Sequence, residues 1–274
     1  MTTPTLLPGM SDLDLALYLA DCADEISSAR FQAVDLHVET KPDLTPVSDA
    51  DRAIESKLRE LLAIARPEDG IVGEEFGSGE KTNRYWVIDP IDGTKNFVRG
   101  VPVWASLIAL MENDQVLVGV VSAPSLFRRW YASKSHGAYL QINKEKNPRK
   151  LQVSSVKELE DASLSISTFA SPTTGNRNDG WGAHHSNLLK LAEKVWRTRA
   201  YGDFWSHLLV AEGAVDCALE PKLALWDMAP LSIIVKEAGG RFSDFHGVDG
   251  PNGANGISSN GALHDALLSH FPGS

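Results

Sequence analysis

Apolar residues at Leu15, Leu19, Cys22 and Ile26 recur at i, i+4, i+7 and i+11, one stripe of helical period. Ser11 ahead of them can accept a free N–H of the first turn, so a helix is expected from about Asp12 to Arg30. Ile54, Leu58, Leu61, Leu62 and Ala65 predict a second helix, from Ala50 or Asp51 to Ala65, ended by Pro67 and Gly70. The pattern then changes. Tyr85 to Ile88 reads as a short buried strand that ends at Asp89. Ala105–Met111 and Val116–Ala123 read as a hairpin around Glu112–Gln115, and Arg128–Ser133 with Ala138–Ile142 as a second, turning near His136-Gly137. Asn143–Lys150 is polar and basic; it reads as a loop and as the boundary between two halves, 1–150 and 151–274, of one unit. Beyond it the order is a strand at Leu164–Phe169, a Gly/Asn/Thr-rich loop at Ser171–Gly182, a helix at His185–Lys194 and a strand at Val195–Ala200. A helix at Phe204–Glu212, a strand at Val215–Leu219 and a helix at Pro230–Ala238, ended by Gly239-Gly240, complete it. The first half is therefore expected to be α+β, with helices on an antiparallel sheet, and the second α/β, with helices and sheets layered alternately.

Composition narrows the function. A chain of 274 residues with 43% hydrophobic and 23% charged residues is globular, not disordered. No apolar run reaches the roughly 18 residues of a membrane span. The N-terminal segment has no basic region followed by a long apolar one, so no secretory signal is expected. Two cysteines, Cys22 and Cys217, make no disulfide framework, and a reducing cytoplasm is the expected compartment. A net charge of −10 argues against nucleic acid and anionic membranes as partners. It leaves open that some carboxylates are gathered to hold a divalent cation.

The segment Trp86-Val-Ile-Asp89-Pro-Ile91-Asp92-Gly93-Thr94-Lys95-Asn96-Phe97 carries the clearest chemistry. A hydrophobic strand delivers Asp89 to a sheet end, Pro90 and Gly93 force a turn, and Asp92 follows three positions later. Two carboxylates and the intervening Ile91 carbonyl make an oxygen-rich site that suits a hard cation such as Mg²⁺. Gly93 and Thr94 open the next helix, where backbone N–H groups can receive phosphate. Three further acidic segments are ambiguous alone. Gly73-Glu74-Glu75 reads equally as a solvated loop, and Asp227 in Leu225-Trp-Asp-Met-Ala-Pro230 as a helix N-cap. Asp49 or Asp51 in Val47-Ser-Asp-Ala-Asp51 could cap the second helix. The consecutive His184-His185 pair diverges on a helix and does not read as a metal site.

Together these segments resemble the inositol monophosphatase-like superfamily of metal-dependent phosphatases, from the first helix to Gly239-Gly240. The resemblance rests on the Asp-Pro-Ile-Asp-Gly-Thr segment and on the Trp-Asp segment before an Ala-containing helix with Gly-Gly. It implies a layered αβαβα sandwich of the inositol monophosphatase/fructose bisphosphatase type, α+β with α/β character. It implies that Glu74, Asp89 and the Ile91 carbonyl hold a first Mg²⁺ and that Asp89, Asp92 and Asp227 hold a second. Glu74 also bears on a looser third, and Mn²⁺ can substitute. Catalytic roles fall on Asp51, Glu74 and Thr94; Asp51 and Thr94 orient the attacking water, while Gly93 and Thr94 bind phosphate. A homodimer acting on a small phosphorylated metabolite is implied as well.

The substrate is read from Tyr201-Gly-Asp203-Phe-Trp205 and Glu220. Inositol phosphatases usually place small residues after this glycine, leaving room for a polyol. A carboxylate with aromatics suits a cationic or heteroaromatic leaving group. With Lys41–Asp51 and Asp92–Trp104, this pattern resembles the histidinol-phosphate phosphatase branch, acting in histidine biosynthesis. Asp203 and Glu220 are then expected to meet the ammonium and imidazole, and Trp104 or the 171–182 loop to cover the ring. Asp203 reads alternatively as a helix N-cap. Inositol-1-phosphate phosphatase, 3′-phosphoadenosine phosphatase and a catalytically silent metal-binding relative are the alternatives, in that order.

Overall fold

The structure is a computed structural model that describes residues 9–42, 45–79, 82–169 and 180–271. The N-terminal apolar stripe forms α1 (Asp12–Arg30), opened by Ser11, whose Oγ accepts the Asp14 N–H at 3.1 Å. A small ribbon, β1 (Val38–Thr40) against β2 (Pro46–Ser48), leads into α2 (Asp49–Ala65). Next come β3 (Gly70–Gly73), β4 (Gly77–Ser78), β5 (Arg84–Asp92), the short α3 (Thr94–Val98), β6 (Ala105–Glu112), β7 (Gln115–Ala123), β8 (Arg128–Ser133), β9 (Gly137–Ile142) and β10 (Arg149–Lys150). Strands β3 to β10 form one sheet in the order β10-β9-β8-β7-β6-β5-β3-β4, antiparallel except for the β3–β5 pair. The second half supplies β11 (Ser163–Ile166), α4 (His185–Ala192), β12 (Arg197–Arg199), α5 (Asp203–Ala211), β13 (Cys217–Glu220), α6 (Leu225–Glu237), β14 (Arg241–Ser243), β15 (Gly256–Ser259) and α7 (His264–Leu268). Its sheet runs β12-β11-β13-β15-β14, with β11 parallel to both neighbours.

Strand parity builds the layers. Trp86 and Ile88 of β5, Ile108 and Leu110 of β6, and Val118 and Val120 of β7 pack on α1 and α2 through Leu15, Leu19, Ile54 and Leu58. The alternate residues, Leu107, Val121 and Trp130 among them, face the other way onto Phe204 and Leu208 of α5 and Leu231 and Ile234 of α6. Val210 of α5 then meets Ala218 of β13, and the far face of the second sheet is closed by Leu188 and Leu191 of α4 and Leu267 of α7. The result is the layered αβαβα arrangement. Because α5 and α6 belong to the second half yet fill the core of the first sheet, the two halves share one interior. Cys22 and Cys217 are both buried free thiols.

Several boundaries differ from the sequence expectation. The last two residues of the expected loop Asn143–Lys150 are β10, paired with Tyr139 and Leu140 of β9. The strand expected at Leu164–Phe169 ends at Ile166. Residues 171–179 of the expected Ser171–Gly182 loop lie outside the described residues. The largest difference is α6, which starts at Leu225, five positions before the expected Pro230. A proline favours the first helical position, which made Pro230 look like a start. Here it sits inside the helix, where it removes only the bond its N–H would have made to the Trp226 carbonyl. Asp227 is therefore not the N-cap but the third helical residue, and its Oδ2 reaches back to the N–H of Ala224 at 2.7 Å. Asp51 has the equivalent place in α2, reaching back to Ser48.

Candidate active site

The site lies where the C-terminal ends of β3, β5, β11 and β13 meet the N-terminal ends of α2, α3, α5 and α6. β5 presents two carboxylates through an irregularity in its pairing. Asp89 lies opposite Leu107 and Asp92 opposite Ala105, so Pro90 and Ile91 together oppose the single residue Ser106. One extra residue reverses strand parity. Without it Asp92 would face α1; with it, Asp92 joins Asp89 on the α6 side. The Ser106 hydroxyl donates to the Pro90 carbonyl at 2.6 Å and holds the irregular turn.

Across the gap stands Asp227 of α6. Asp89, Asp92 and Asp227 each offer a carboxylate oxygen, and these three oxygens lie within 4.8 Å of one another. Asp89 is 2% exposed and its Oδ1 has no hydrogen-bond partner. Burial, then the negative charge of Glu74, Asp92 and Asp227, holds its carboxyl well above the usual carboxylate range. Burial, Asp203 and Asp227 do the same to Asp92, against the Phe204 N–H that donates to it at 2.8 Å. Asp227 is pushed up to about 6, chiefly by burial, against the Ala224 N–H. Such a cluster of close, mutually repelling oxygens, with Asp89 buried and Asp92 and Asp227 half-buried, is what a hard divalent cation relieves, so the residues fit the group.

The other expected residues divide. Glu74 follows β3, its N–H donating to the Ile88 carbonyl at 3.2 Å. Its Oε1 takes the Lys41 ammonium at 2.8 Å, and the same ammonium reaches Glu75 at 2.6 Å. Asp51 is fully buried; its Oδ2 accepts from the Ser48 N–H (2.8 Å) and hydroxyl (2.6 Å), and its Oδ1 has no partner. Burial, against those two bonds, moves its carboxyl up to about 6. The Ile91 carbonyl accepts the Thr94 hydroxyl at 2.9 Å, which leaves it a second lone pair. Gly93 has φ 79°, and a Cβ there would stand 2.9 Å from the Val103 carbonyl, so glycine is required for α3 to begin.

Asp203 begins α5 with φ 49°; Gly202, not Asp203, is the N-cap. Its Oδ2 accepts from Asn96 Nδ2 at 3.0 Å, and its N–H is 3.3 Å from Ser167 Oγ. Glu220 ends β13, 5% exposed, and accepts the Ser167 hydroxyl. Burial drives its carboxyl up to about 8, with the Ser167 bond opposing. Ser167 thus joins the two residues expected to meet substrate cations. Trp104 requires a correction. It is fully buried, packed edge-on to Phe97 at 5.0 Å and against Phe31 at 5.3 Å. At the entry to β6 its parity points it into the α1 core, so it cannot cover a substrate ring. Lys41, Asn96 and Ser167 were missed as site residues. Asn96 lies within the quoted motif and Ser167 just past a strand end, which are the only local signals they carry.

The chain belongs to the inositol monophosphatase family, matched over residues 12–274, a family of metal-dependent phosphatases. Among its relatives, the histidinol-phosphatase of Mycobacterium tuberculosis is 54% identical over 95% of this chain and 97% of its own length. That of Streptomyces coelicolor is 52% identical over 96% and 97%. The solved Thermotoga maritima IMPase superposes with a TM-score of 0.81 at 30% identity, covering 96% of this chain and 97% of its own. No helix among the described residues is long and apolar enough to cross a membrane.

Proposed function

We propose that this phosphatase hydrolyses L-histidinol phosphate to L-histidinol and phosphate, with Mg²⁺ as its cofactor. The observation that carries the chemistry is the convergence of Asp89, Asp92 and Asp227, where the charges that bear on Asp89 and Asp92 are those of other carboxylates. The substrate rests on the two relatives' name together with the half-buried Asp203 and the buried Glu220. Glu74, Asp89 and the Ile91 carbonyl would hold one ion, Asp89, Asp92 and Asp227 a second, and Glu74 a looser third. When bound, divalent cations supply charge compensation for the phosphate and a more acidic water. The remaining work falls to the chain. The unpartnered Oδ1 of Asp51 accepts a hydrogen bond from the attacking water, with Thr94 Oγ1 as the second orienting group. Backbone N–H groups of Gly93 and Thr94, at the opening of α3, receive phosphate oxygens. In-line attack then needs no covalent intermediate. Asp203 and Glu220 accept charge-assisted hydrogen bonds from the substrate's ammonium and imidazole. A homodimer in the cytoplasm, with Mn²⁺ able to replace Mg²⁺, completes the proposal.

Phosphate release with Mg²⁺ from L-histidinol phosphate, inositol 1-phosphate and 3′-phosphoadenosine 5′-phosphate tests the reading. A kcat/KM for histidinol phosphate about a hundredfold above the others, near 2.7 kcal/mol of transition-state preference, is expected. An inositol-favouring profile would overturn the substrate and leave the metal site standing. Mg²⁺ binding without any phosphate release would favour a silent relative.

A further inference from the structure

Glu74 stands on a turn that something else must hold, because its own carboxylate is turned toward Lys41 and the acidic cluster. The turn from Gly73 to Gly77 is gripped from α2. Glu55, fully buried, accepts the Glu75 N–H through Oε2 at 2.7 Å and the Phe76 N–H through Oε1 at 3.2 Å. Its Oε1 also accepts from Arg59 Nε at 2.8 Å, one helical turn on. Arg59 continues the grip: Nη2 donates to the Gly77 carbonyl at 2.6 Å, and its guanidinium lies 5.9 Å from the Phe76 ring centroid. On the near side of the turn, a Cβ on Gly73 would stand 2.0 Å from Glu55 Oε1. The carboxylate therefore lies flat against the one residue of the turn that has no side chain. The backbone at residues 73, 75, 76 and 77 is held by this pair, which leaves Glu74 between them with its carboxylate turned toward Lys41.

We propose that Glu55 and Arg59 form a clamp of positioning residues that sets where Glu74 stands and so tunes the affinity of the ion Glu74 holds. This rests on the reading of Glu74 as a metal ligand. The clamp also ties that ion to the water-orienting group. Asp51 precedes Glu55 by one turn on the same buried face of α2, so one rigid helix carries both the carboxylate that orients water and the carboxylate that holds the Glu74 turn. Partners that orient metal ligands in this way typically change metal affinity by about 10- to 100-fold when altered.

The test is calorimetric titration of Mg²⁺ into the metal-free full chain, with phosphate-ester kinetics alongside. Glu74→Gln should weaken at least one Mg²⁺ binding step. Glu55→Gln keeps the shape but turns an amide N–H toward a backbone N–H; it should weaken that same step about tenfold or more. Its KM for the ester should be unchanged, and kcat should recover as Mg²⁺ is raised. Asp69→Asn is the structural control, since Asp69 precedes the other end of β3 and accepts from Arg84 and the Trp86 Nε1–H. It should lower the melting temperature without moving the Mg²⁺ midpoint. If Glu74→Gln weakens Mg²⁺ while Glu55→Gln binds it as the wild type does, the clamp is overturned. If Glu74→Gln itself leaves Mg²⁺ binding intact, the ligand reading falls and the clamp with it. Should Glu55→Gln fail to fold, Arg59→Met removes the Gly77 bond and leaves Glu55 in place; an unchanged Mg²⁺ midpoint there also overturns the proposal.

Discussion

The eight-stranded sheet buries carboxylates on both faces near the same end and treats them in opposite ways. On the α1 face, Asp24 is bonded to Arg129 Nη2 at 2.7 Å and to the Ser122 hydroxyl at 3.0 Å, and Arg129 reaches Asp21 as well. Burial raises the Asp24 carboxyl, but every neighbouring charge that bears on it opposes that rise. On the α6 face, the charges that bear on Asp89 are carboxylates, and all of them add to the effect of burial. A buried ion pair needs its partner to offset desolvation. The α1 face therefore has the chemistry of a structural joint, while the α6 face has that of a site awaiting a cation from outside the chain.

The largest effect should come from breaking the α6 side. Asp92→Asn should cut Mg²⁺-dependent kcat/KM by at least about a thousandfold, near 4 kcal/mol. The same substitution should raise the melting temperature of the metal-free protein, because one member of a repelling set is neutralised. Asp24→Asn should do the reverse. It leaves Arg129 buried with a neutral amide in place of one of its two carboxylate partners, so unfolding free energy in urea should fall by about 1.5–3 kcal/mol, with the Mg²⁺ midpoint unmoved.

Asp203→Ala sharpens the comparison within the site. Asp203 touches Asn96 and lies beside, not within, the three-oxygen cluster. Its loss should lower kcat/KM for histidinol phosphate by about a hundredfold and that for a small uncharged phosphate ester by less than about threefold. Equal losses on both would remove it as a recognition residue. The smallest effect is on pH dependence. Glu220 moves from 4.5 unfolded to about 8 folded, so the folded state keeps a proton that the unfolded state has lost between those values. Its contribution to stability is present below about pH 4.5 and is lost as pH rises through 8, by about 1.4 kcal/mol per unit at most. Urea unfolding of the metal-free protein should show a shallower decline over that window in Glu220→Gln than in the wild type.

The difference between the two faces was only half legible in the sequence. Asp89 and Asp92 are close in the chain and separated by Pro90, so a strand and a turn suffice to bring them together. Asp24 and Arg129 are far apart and meet only because Ser122 and Arg129 are cross-strand neighbours beneath α1; no local pattern carries that. Parity explains the rest. The central strands are apolar on both faces, so period-two alternation is missing from Ala105–Met111, and nothing marked Trp104 as facing α1. The start of α6 was hidden because Asp227 reaches back across three residues to Ala224, a capping role that leaves Pro230 inside the helix. Asn96 and Ser167 act through partners in other elements, which spacing does not encode.

The central claim is that the Asp89, Asp92 and Asp227 oxygens are held together at a cost that a divalent cation relieves. Thermal unfolding of the wild type in chelator and in saturating Mg²⁺, beside Asp92→Asn under both conditions, tests it most directly. At about 100 times Kd, binding to the folded state alone contributes about 2.7 kcal/mol, so the wild type should melt several degrees higher with Mg²⁺. Asp92→Asn should start higher in chelator and gain much less. A wild type whose melting temperature is indifferent to Mg²⁺, or a variant that gains as much as the wild type, would contradict the account.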